Sequence, residues 1–368
     1  MRRKKILFFV FAIIFMVMAT PATGQQSYSD CSQKYLVSEP PPIGGGSSHY
    51  RRRIVFPWYA VGPTSNGGRW ETRLIFGLAA VPAPQDFLGG NYNIDYRSMR
   101  EKPLWAVAPA LKQIVVDQQP HFVVWATGSF GNFPRLGTRI EFHLTDFSWW
   151  DGSGPRPTGD LDVGVVVLDF YAGEKSNPCV VNQVYDNFIY AQLTFLSRRS
   201  DGTVEWQVSE PGYFVDQLSS RWAAPINVSG DLSAQPPDFT DFEDPSFAVA
   251  NAGDKEVRVR ISLFEQYGEP HDGMLYPAWQ KTIILGPMRT EGYVIRDFFG
   301  DALFQSVYPG SNYGGRTSGF RGTILFEAVD DLGNVLPDAK IIPLVLQRVG
   351  DSLTNVQLVK LPSQKPTW

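Results

Sequence analysis

Hydrophobic and polar residues alternate with period two in many short segments of this chain. The clearest segment runs from Asp254 to Gly268, and four of its aliphatic residues share one parity: Val257, Val259, Ile261 and Leu263. Charged or small polar residues occupy the positions between them. β-Branched residues on one face and polar residues on the other predict a strand with a buried and a solvated side.

Similar segments recur along the chain between turn residues. They predict strands at 53–58, 70–78, 137–145, 162–170, 187–196, 204–208, 247–250, 282–285, 292–295, 322–327, 341–346 and 356–361. The Asp201-Gly202 dipeptide predicts a hairpin between the strands on either side of it. The spacing of apolar residues around Phe298, Phe299 and Leu303 predicts one short helix or helical turn. Many short strands with frequent turns are typical of antiparallel β-sandwiches.

Turn-rich stretches without apolar periodicity divide the chain. The sequence predicts a Pro/Gly/Ser-rich linker at 25–50, a β-sandwich domain with long loops at 51–225, and an acidic, Pro-rich linker at 226–245. It then predicts a second, Ig-like sandwich at 246–361 and a tail at 362–368. Val81 to Lys102 is predicted to be a long loop. The expected fold class is therefore all-β, with two antiparallel β-sandwich (Ig-like) domains.

Composition agrees with this fold class. The 368 residues include 34 Gly and 28 Pro, charged residues are 19%, and aromatic residues are 14%. Few charges, many aromatic residues and many turn formers favour an all-β chain over a helical one.

Met1 to Gly24 has the parts of a secretory signal peptide. Four basic residues at positions 2–5 precede a 14-residue apolar run, Ile6 to Ala19, and small residues then offer a cleavage site before Gln25. The run is short for a transmembrane helix, and an uncleaved anchor is the alternative. Cleavage removes four positive charges, so the net charge moves from −4 to −8. An acidic mature chain argues against nucleic-acid binding, and membrane contact is expected only through the signal peptide before cleavage.

Export would determine the redox environment of the two cysteines, Cys31 and Cys179. An oxidising compartment favours a disulfide between them, and two unpaired thiols are the alternative.

The common catalytic and metal-binding constellations are absent from the sequence. The four histidines are isolated, so no zinc site is predicted, and neither a G-x-S-x-G motif nor a phosphate-binding Gly-rich loop occurs. Acidic residues cluster in the predicted linker at Asp238, Asp241, Glu243 and Asp244. Their spacing departs from an ordered calcium loop, so solvated linker residues are the simpler interpretation. No catalytic residue, metal or cofactor is expected.

Trp149 and Trp150 give the sharpest indication of binding. They lie beside the Gly- and Pro-rich sequence 151–155, and adjacent strand residues face opposite sides, so regular structure buries only one of the two indoles. An exposed indole can stack on a sugar ring or anchor a protein partner. Capping the end of a sandwich core is the structural alternative.

Three stretches resemble secreted bacterial tandem β-sandwich (Ig-like) proteins of unknown function. They are W-E-T-R-L-I-F-G-L, F-A-V-A-N-A-G-D-K-E-V-R-V-R-I-S-L, and G-F-R-G-T-I-L-F-E-A through I-P-L-V-L-Q-R. The resemblance implies export and Ig-like sandwiches, and it carries over no site residues.

Two functions are therefore expected. The first is an exported, non-enzymatic interaction module at the cell surface, in the matrix or in the periplasm, with a protein or a glycan as its partner. The alternative is an exported carbohydrate-active enzyme or its carbohydrate-binding accessory domain.

Overall fold

The structure is a computed structural model. It describes residues 31–38, 49–64, 67–79, 90–98, 114–116, 119–121, 123–129, 138–144, 161–173, 176–231, 242–265, 279–300, 303, 317–350 and 352–363. The predicted signal peptide, Trp149 and Trp150 lie outside the described residues.

The described chain is built mainly of antiparallel strands. The strands of its first part are β1 (Leu36–Val37), β2 (His49–Pro63), β3 (Arg69–Leu78), β4 (Gly90–Ser98), β5 (Ile114–Val116), β6 (Gln119–His121), β7 (Val123–Ser129), β8 (Thr138–His143), β9 (Asp162–Gly173), β10 (Ile189–Arg198), β11 (Val204–Pro211) and β12 (Tyr213–Phe214). Helix α1 (Pro178–Asn187) separates β9 from β10, and a 3-10 turn (Val215–Gln217) follows β12.

The second part contains nine strands within the described residues. They are β13 (Arg221–Asp231), β14 (Glu243–Asn251), β15 (Val257–Glu265), β16 (Trp279–Leu285), β17 (Thr290–Val294), β18 (Thr317–Val329), β19 (Ile341–Val349), β20 (Ser352–Asn355) and β21 (Val359–Lys360). Helix α2 (Ile295–Phe299) follows β17 and overlaps the predicted short helix at Phe298 and Phe299.

Strand β2 connects two halves of one large sheet. Residues His49 to Val61 pair with β9, which also pairs with β4, and β4 pairs with β7. At its far end, Gly62 and Pro63 of β2 pair instead with β3, which continues through β10 to β11 and also pairs with β8. We call these the β2–β9 half-sheet and the β3–β10 half-sheet.

The two half-sheets enclose an apolar core. Phe56 of β2 and Leu168 of β9 belong to the same buried cluster as Leu74 of β3 and Leu193 of β10. Each of these side chains lies on an alternate position of its strand, as the period-two pattern requires. The first part is therefore a two-layer β-sandwich.

The second part forms two further layers. A five-stranded sheet has the order β16-β15-β18-β13-β21, and a four-stranded sheet has the order β17-β14-β19-β20. Val259 and Ile261 of β15 are fully buried against a cluster that includes Phe247 of β14 and Val345 of β19. The strand from Val257 is thus confirmed, with its aliphatic face in this core.

The central strands of the four-stranded sheet, β14 and β19, are buried on both faces. Phe247 and Val249 of β14 face the five-stranded sheet. Ala250 lies on the opposite parity and packs with Val55 and Val167 of the β2–β9 half-sheet. The four layers therefore stack in one series, and the four-stranded sheet is an inner layer. A strand that is buried on both sides reads as a nearly continuous apolar run, as Ile341 to Leu346 does.

Three segments differ from the sequence prediction. Residues 226–231, assigned to a linker, continue β13, which pairs with β18 in an unbroken register from Arg221 to Asp231. Residues 243–245, also assigned to that linker, begin β14. Within the predicted loop 81–102, residues 90–98 form β4. Pro225, Gly230 and the neighbouring acidic residues carry turn chemistry, and pairing with a long partner strand overrides it.

The N-terminal segment also differs from the predicted linker 25–50. Leu36 and Val37 pair with Tyr50 and His49 of β2, and Tyr35 is buried in the first core. The segment is held to α1 by the disulfide between Cys31 and Cys179, whose Cα atoms are 5.2 Å apart. The predicted cysteine pair is thus present.

Candidate functional site

Two hairpins lie side by side at one end of the β3–β10 half-sheet. In the β10–β11 turn, the Asp201 carboxylate accepts hydrogen bonds from the amide of Thr203 at 2.9 Å and from its hydroxyl at 2.6 Å. Gly202 adopts φ 85°, which a glycine takes without strain. The hairpin predicted from Asp201-Gly202 is confirmed. In the β2–β3 turn, a Cβ atom on Gly68 would collide with the carbonyl oxygen of Arg198, so the two turns are in close contact.

A β-bulge lies directly after the β10–β11 turn. Ser197 pairs with Trp206, but the next residue of β10, Arg198, pairs with Val204. Glu205 is therefore the extra residue of the bulge. Bulges change the direction in which a side chain points, and the Ser197 hydroxyl donates a hydrogen bond of 3.2 Å to Oε2 of Glu205.

Two tryptophans flank Ser197 on the neighbouring strands. Ser197 is in register with Trp70 of β3 on one side and with Trp206 of β11 on the other. The ring centroids of the two indoles are only 6.0 Å apart, with an interplanar angle of 46°. The rings therefore lean together over Ser197, which is 1% exposed. Both tryptophans remain half-buried. We call Trp70 and Trp206 the aromatic platform.

The orientation of Trp206 limits what it can contribute. Its Nε1 atom is buried and has no hydrogen-bond partner in the described part of the chain. The nitrogen edge of the ring thus points into the protein, and the exposed part of Trp206 is apolar. The surface it offers is suited to ring stacking rather than to hydrogen-bond donation.

Charged groups adjoin the platform. Nε of Arg199 lies 3.8 Å from Oε1 of Glu205, and Arg199 is 53% exposed in its side chain. The separation is longer than a hydrogen bond. One carboxylate acceptor and one guanidinium donor therefore lie beside the indoles at the same end of the sandwich.

Most of the buried carboxylates that the structure describes form hydrogen-bonded ion pairs with arginines. Asp169 accepts two hydrogen bonds of 2.8 Å from Arg53. Glu327 accepts from Arg221 on one side and from Arg260 on the other, at distances of 2.6 to 3.0 Å. These partners are aligned by strand register, because Arg221 and Arg260 are both Cα partners of Glu327. Fork-shaped arginine pairs of this kind hold sheets together.

Glu210 is the exception. It lies on the inward parity of β11, two residues from the buried Val208, and it is 0% exposed. Among the residues that the structure describes, neither carboxyl oxygen of Glu210 has a hydrogen-bond partner. Burial raises the pKa of Glu210 well above its ordinary value, because an apolar interior disfavours the ionised carboxylate. Burial, together with Glu210, raises the pKa of Tyr213 to about 12.

A buried arginine fixes the N-terminal segment next to the disulfide. Nη1 of Arg52 lies 2.6 Å from the Tyr35 hydroxyl, from the Tyr185 carbonyl oxygen and from Oδ1 of Asp186. Its guanidinium carbon lies 3.7 Å from the ring centroid of Phe214. Burial acts to raise the pKa of Asp186, but the hydrogen bonds from its neighbours, Arg52 among them, hold that pKa below its ordinary value. The cluster is a structural junction.

The acidic residues predicted to cluster in the linker do not form a metal site in the part that is described. Asp244 accepts a hydrogen bond of 3.1 Å from Arg296, and Glu243 accepts one of 3.3 Å from Asn227. Asp238 and Asp241 lie outside the described residues. No group of three potential metal ligands occurs among the residues that the structure describes.

No family profile, curated protein or solved structure matches this chain. Within the described residues, no helix has the length and apolarity needed to cross a membrane. The structure is consistent with the predicted β-sandwich character of the chain, while the tandem Ig-like family remains a resemblance.

Sequence reasoning selected Trp149 and Trp150 and did not select the aromatic platform. Trp70 and Trp206 belong to segments that the sequence does predict as strands. The available signal was that both tryptophans lie near the turn-proximal end of their strand, beside a Gly-rich turn and an Asp-Gly turn. Their proximity depends on the pairing order β3-β10-β11, which local patterns do not contain.

Proposed function

We propose that this protein is an exported, non-enzymatic interaction module with two Ig-like β-sandwich domains, acting at the cell surface, in the matrix or in the periplasm. The observation that carries the proposal is the aromatic platform of Trp70 and Trp206. It lies at the end of a sandwich, between two hairpins, on a scaffold of four stacked layers. Loops and strand ends on a rigid scaffold are where binding residues concentrate.

The surroundings of the buried carboxyl groups support a binding function rather than a catalytic one. Asp169 and Glu327 are engaged by arginines, and Glu210 is enclosed in an apolar interior. A glycosidase needs two carboxyl groups that face each other across a cleft, about 5 to 9.5 Å apart. The three carboxyl groups named here are used for structural pairing or are sealed from solvent.

Two further observations are compatible with export. A disulfide joins Cys31 to Cys179, and disulfides persist mainly outside the cytosol. The sequence also begins with the parts of a signal peptide.

The test uses the purified chain without the predicted signal peptide, residues 25–368. It is sedimented with isolated cell envelopes over a range of protein concentrations, and the polysaccharides of the same envelopes are assayed for newly formed reducing ends. We expect saturable co-sedimentation and no new reducing ends. Release of reducing ends would identify an enzyme instead, and absence of co-sedimentation at all concentrations would refute the interaction module.

A further inference from the structure

We propose that the aromatic platform, together with Glu205 and Arg199, is a binding site for neutral hexopyranose chains. This inference rests on the proposed interaction function and names its ligand class.

The platform fits the face of a sugar ring. A hexopyranose with equatorial hydroxyls presents flat C–H faces, which pack on indole rings in the way that other apolar surfaces do. Both indoles are half-buried, Trp70 because it packs in part against the first core, and their ring centroids are 6.0 Å apart. The parts of the two rings that remain exposed therefore offer aromatic surface to a ligand side by side. Because the Nε1 edge of Trp206 is buried, what the ring offers to a ligand is apolar surface.

The polar groups fit the hydroxyls at the edge of such a ring. The bulge at Glu205 turns its carboxylate toward Ser197, and the carboxylate remains 12% exposed in its side chain. Arg199 lies 3.8 Å away. A carboxylate accepts hydrogen bonds and a guanidinium donates them. One sugar hydroxyl can therefore donate to Glu205 while its neighbour accepts from Arg199, and neither charge is buried without its counter-charge.

Charge selects a neutral ligand over an anionic one. The mature chain carries a net charge of −8, since the −4 of the full sequence loses four positive charges with residues 2–5. A polyanion would be repelled by this charge and by Glu205. A proline-rich peptide also stacks on aromatic residues, but it offers no hydroxyls to the Glu205–Arg199 pair.

The experiment titrates residues 25–368 with cellohexaose, laminarihexaose and chitohexaose, and with decaproline as the competing ligand class. Binding is followed by calorimetry. We expect at least one hexaose to bind, and we expect Trp206→Ala to lower its affinity at least about ten-fold. Trp279→Ala is the matched control, because Trp279 is also half-buried on an edge strand and packs on another aromatic ring. It should leave the affinity within about two-fold of the wild type.

Glu205→Gln provides a second variant that keeps the side-chain size, in case Trp206→Ala does not fold. It should weaken hexaose binding without abolishing it. Absence of binding to all three hexaoses, binding of decaproline alone, or equal affinities in wild type, Trp206→Ala and Glu205→Gln would overturn the proposal. If hexaoses fail while envelope co-sedimentation persists, the site assignment is wrong and the interaction function stands.

Discussion

The indole of Trp58 lies directly against Gly292. A Cβ atom placed on Gly292 would lie 2.8 Å from Cη2 and 2.9 Å from Cζ3 of Trp58. Trp58 belongs to β2 in the first sandwich, whereas Gly292 belongs to β17 in the four-stranded sheet. The absence of a side chain at position 292 is what lets the two sheets approach this closely.

Gly292→Ala should therefore destabilise the protein by about 1–3 kcal/mol, the usual cost when an inserted group forces neighbouring side chains or backbone to shift. Gly173→Ala is the control, because no heavy atom of the described residues lies within 4 Å of a Cβ at that strand position. Denaturant unfolding measures both. The penalty of Gly292→Ala should shrink when Trp58→Leu is already present. An equal penalty in both backgrounds would show that Trp58 is not the obstructing group.

Glu210 predicts an unusual dependence of stability on pH. Its pKa is raised by burial in the folded protein, and the unfolded chain has the ordinary value near 4.5. As pH rises above that value, the unfolded state loses its proton and the folded state retains it, so the free energy of unfolding falls. The slope from this one group approaches about 1.4 kcal/mol per pH unit.

Glu210→Gln removes this titration. Urea unfolding at pH 5, 6 and 7 should show that the stability of the wild type relative to Glu210→Gln decreases steadily as the pH rises. A constant difference across these three values would mean that Glu210 is ionised or solvated in the folded protein.

Glu327 and Asp331, two carboxylates that pair with arginines of the five-stranded sheet, should differ greatly in the stability lost when their charge is removed. Glu327 is 4% exposed in its side chain and serves both Arg221 and Arg260. Glu327→Gln leaves two largely buried guanidinium groups without their counter-charge, and should cost about 3–5 kcal/mol. Asp331 is 82% exposed and pairs with Arg258, so Asp331→Asn should cost less than about 1 kcal/mol. Comparable losses in thermal or urea unfolding would contradict this ranking.

The disulfide should stabilise the whole first sandwich. It closes a sequence separation of 148 residues, and replacement of both cysteines by serine should cost about 2–5 kcal/mol. Limited proteolysis checks a local consequence. We expect faster cleavage within residues 31–38 in the double variant than in the oxidised wild type, although Arg52 still binds Tyr35. Unchanged cleavage there would show that the Arg52 junction holds the segment alone.

The sequence predicts the strands that are buried on one face only. For the strands of the inner layer it predicts the strand but not the layers on both sides of it. Val257 to Glu265 shows its alternation because β15 is covered on one side. In β14, Ala248 and Ala250 face one layer while Phe247 and Val249 face the other. Such a strand is apolar on both parities, so its sequence predicts a strand but not the second sheet that covers it.

Turn-forming residues caused the wrong linker prediction at residues 226–231. Ala224, Ile226 and Val228 alternate correctly for a strand, but Pro225 and Gly230 favoured a linker. The sequence does contain a start signal for α1, which is not among the predicted elements. Asn177 caps the helix by accepting from the amide of Cys179 at 2.9 Å, and Pro178 occupies its first turn. The aromatic platform needed the strand order, which is a long-range property.

The central claim is that the four-stranded sheet is an inner layer of one continuous stack. Hydrogen–deuterium exchange of residues 25–368, read by mass spectrometry, tests it directly. We predict that peptides covering Phe247 to Asn251 and Ile341 to Leu346 exchange as slowly as those covering Val259 to Leu263. Both segments are covered on their two faces, Phe247 to Asn251 is paired along β17 and β19, and Ile341 to Leu346 is paired along β14. Exchange of the two segments within seconds, with Val259 to Leu263 still protected, would contradict the stacked arrangement.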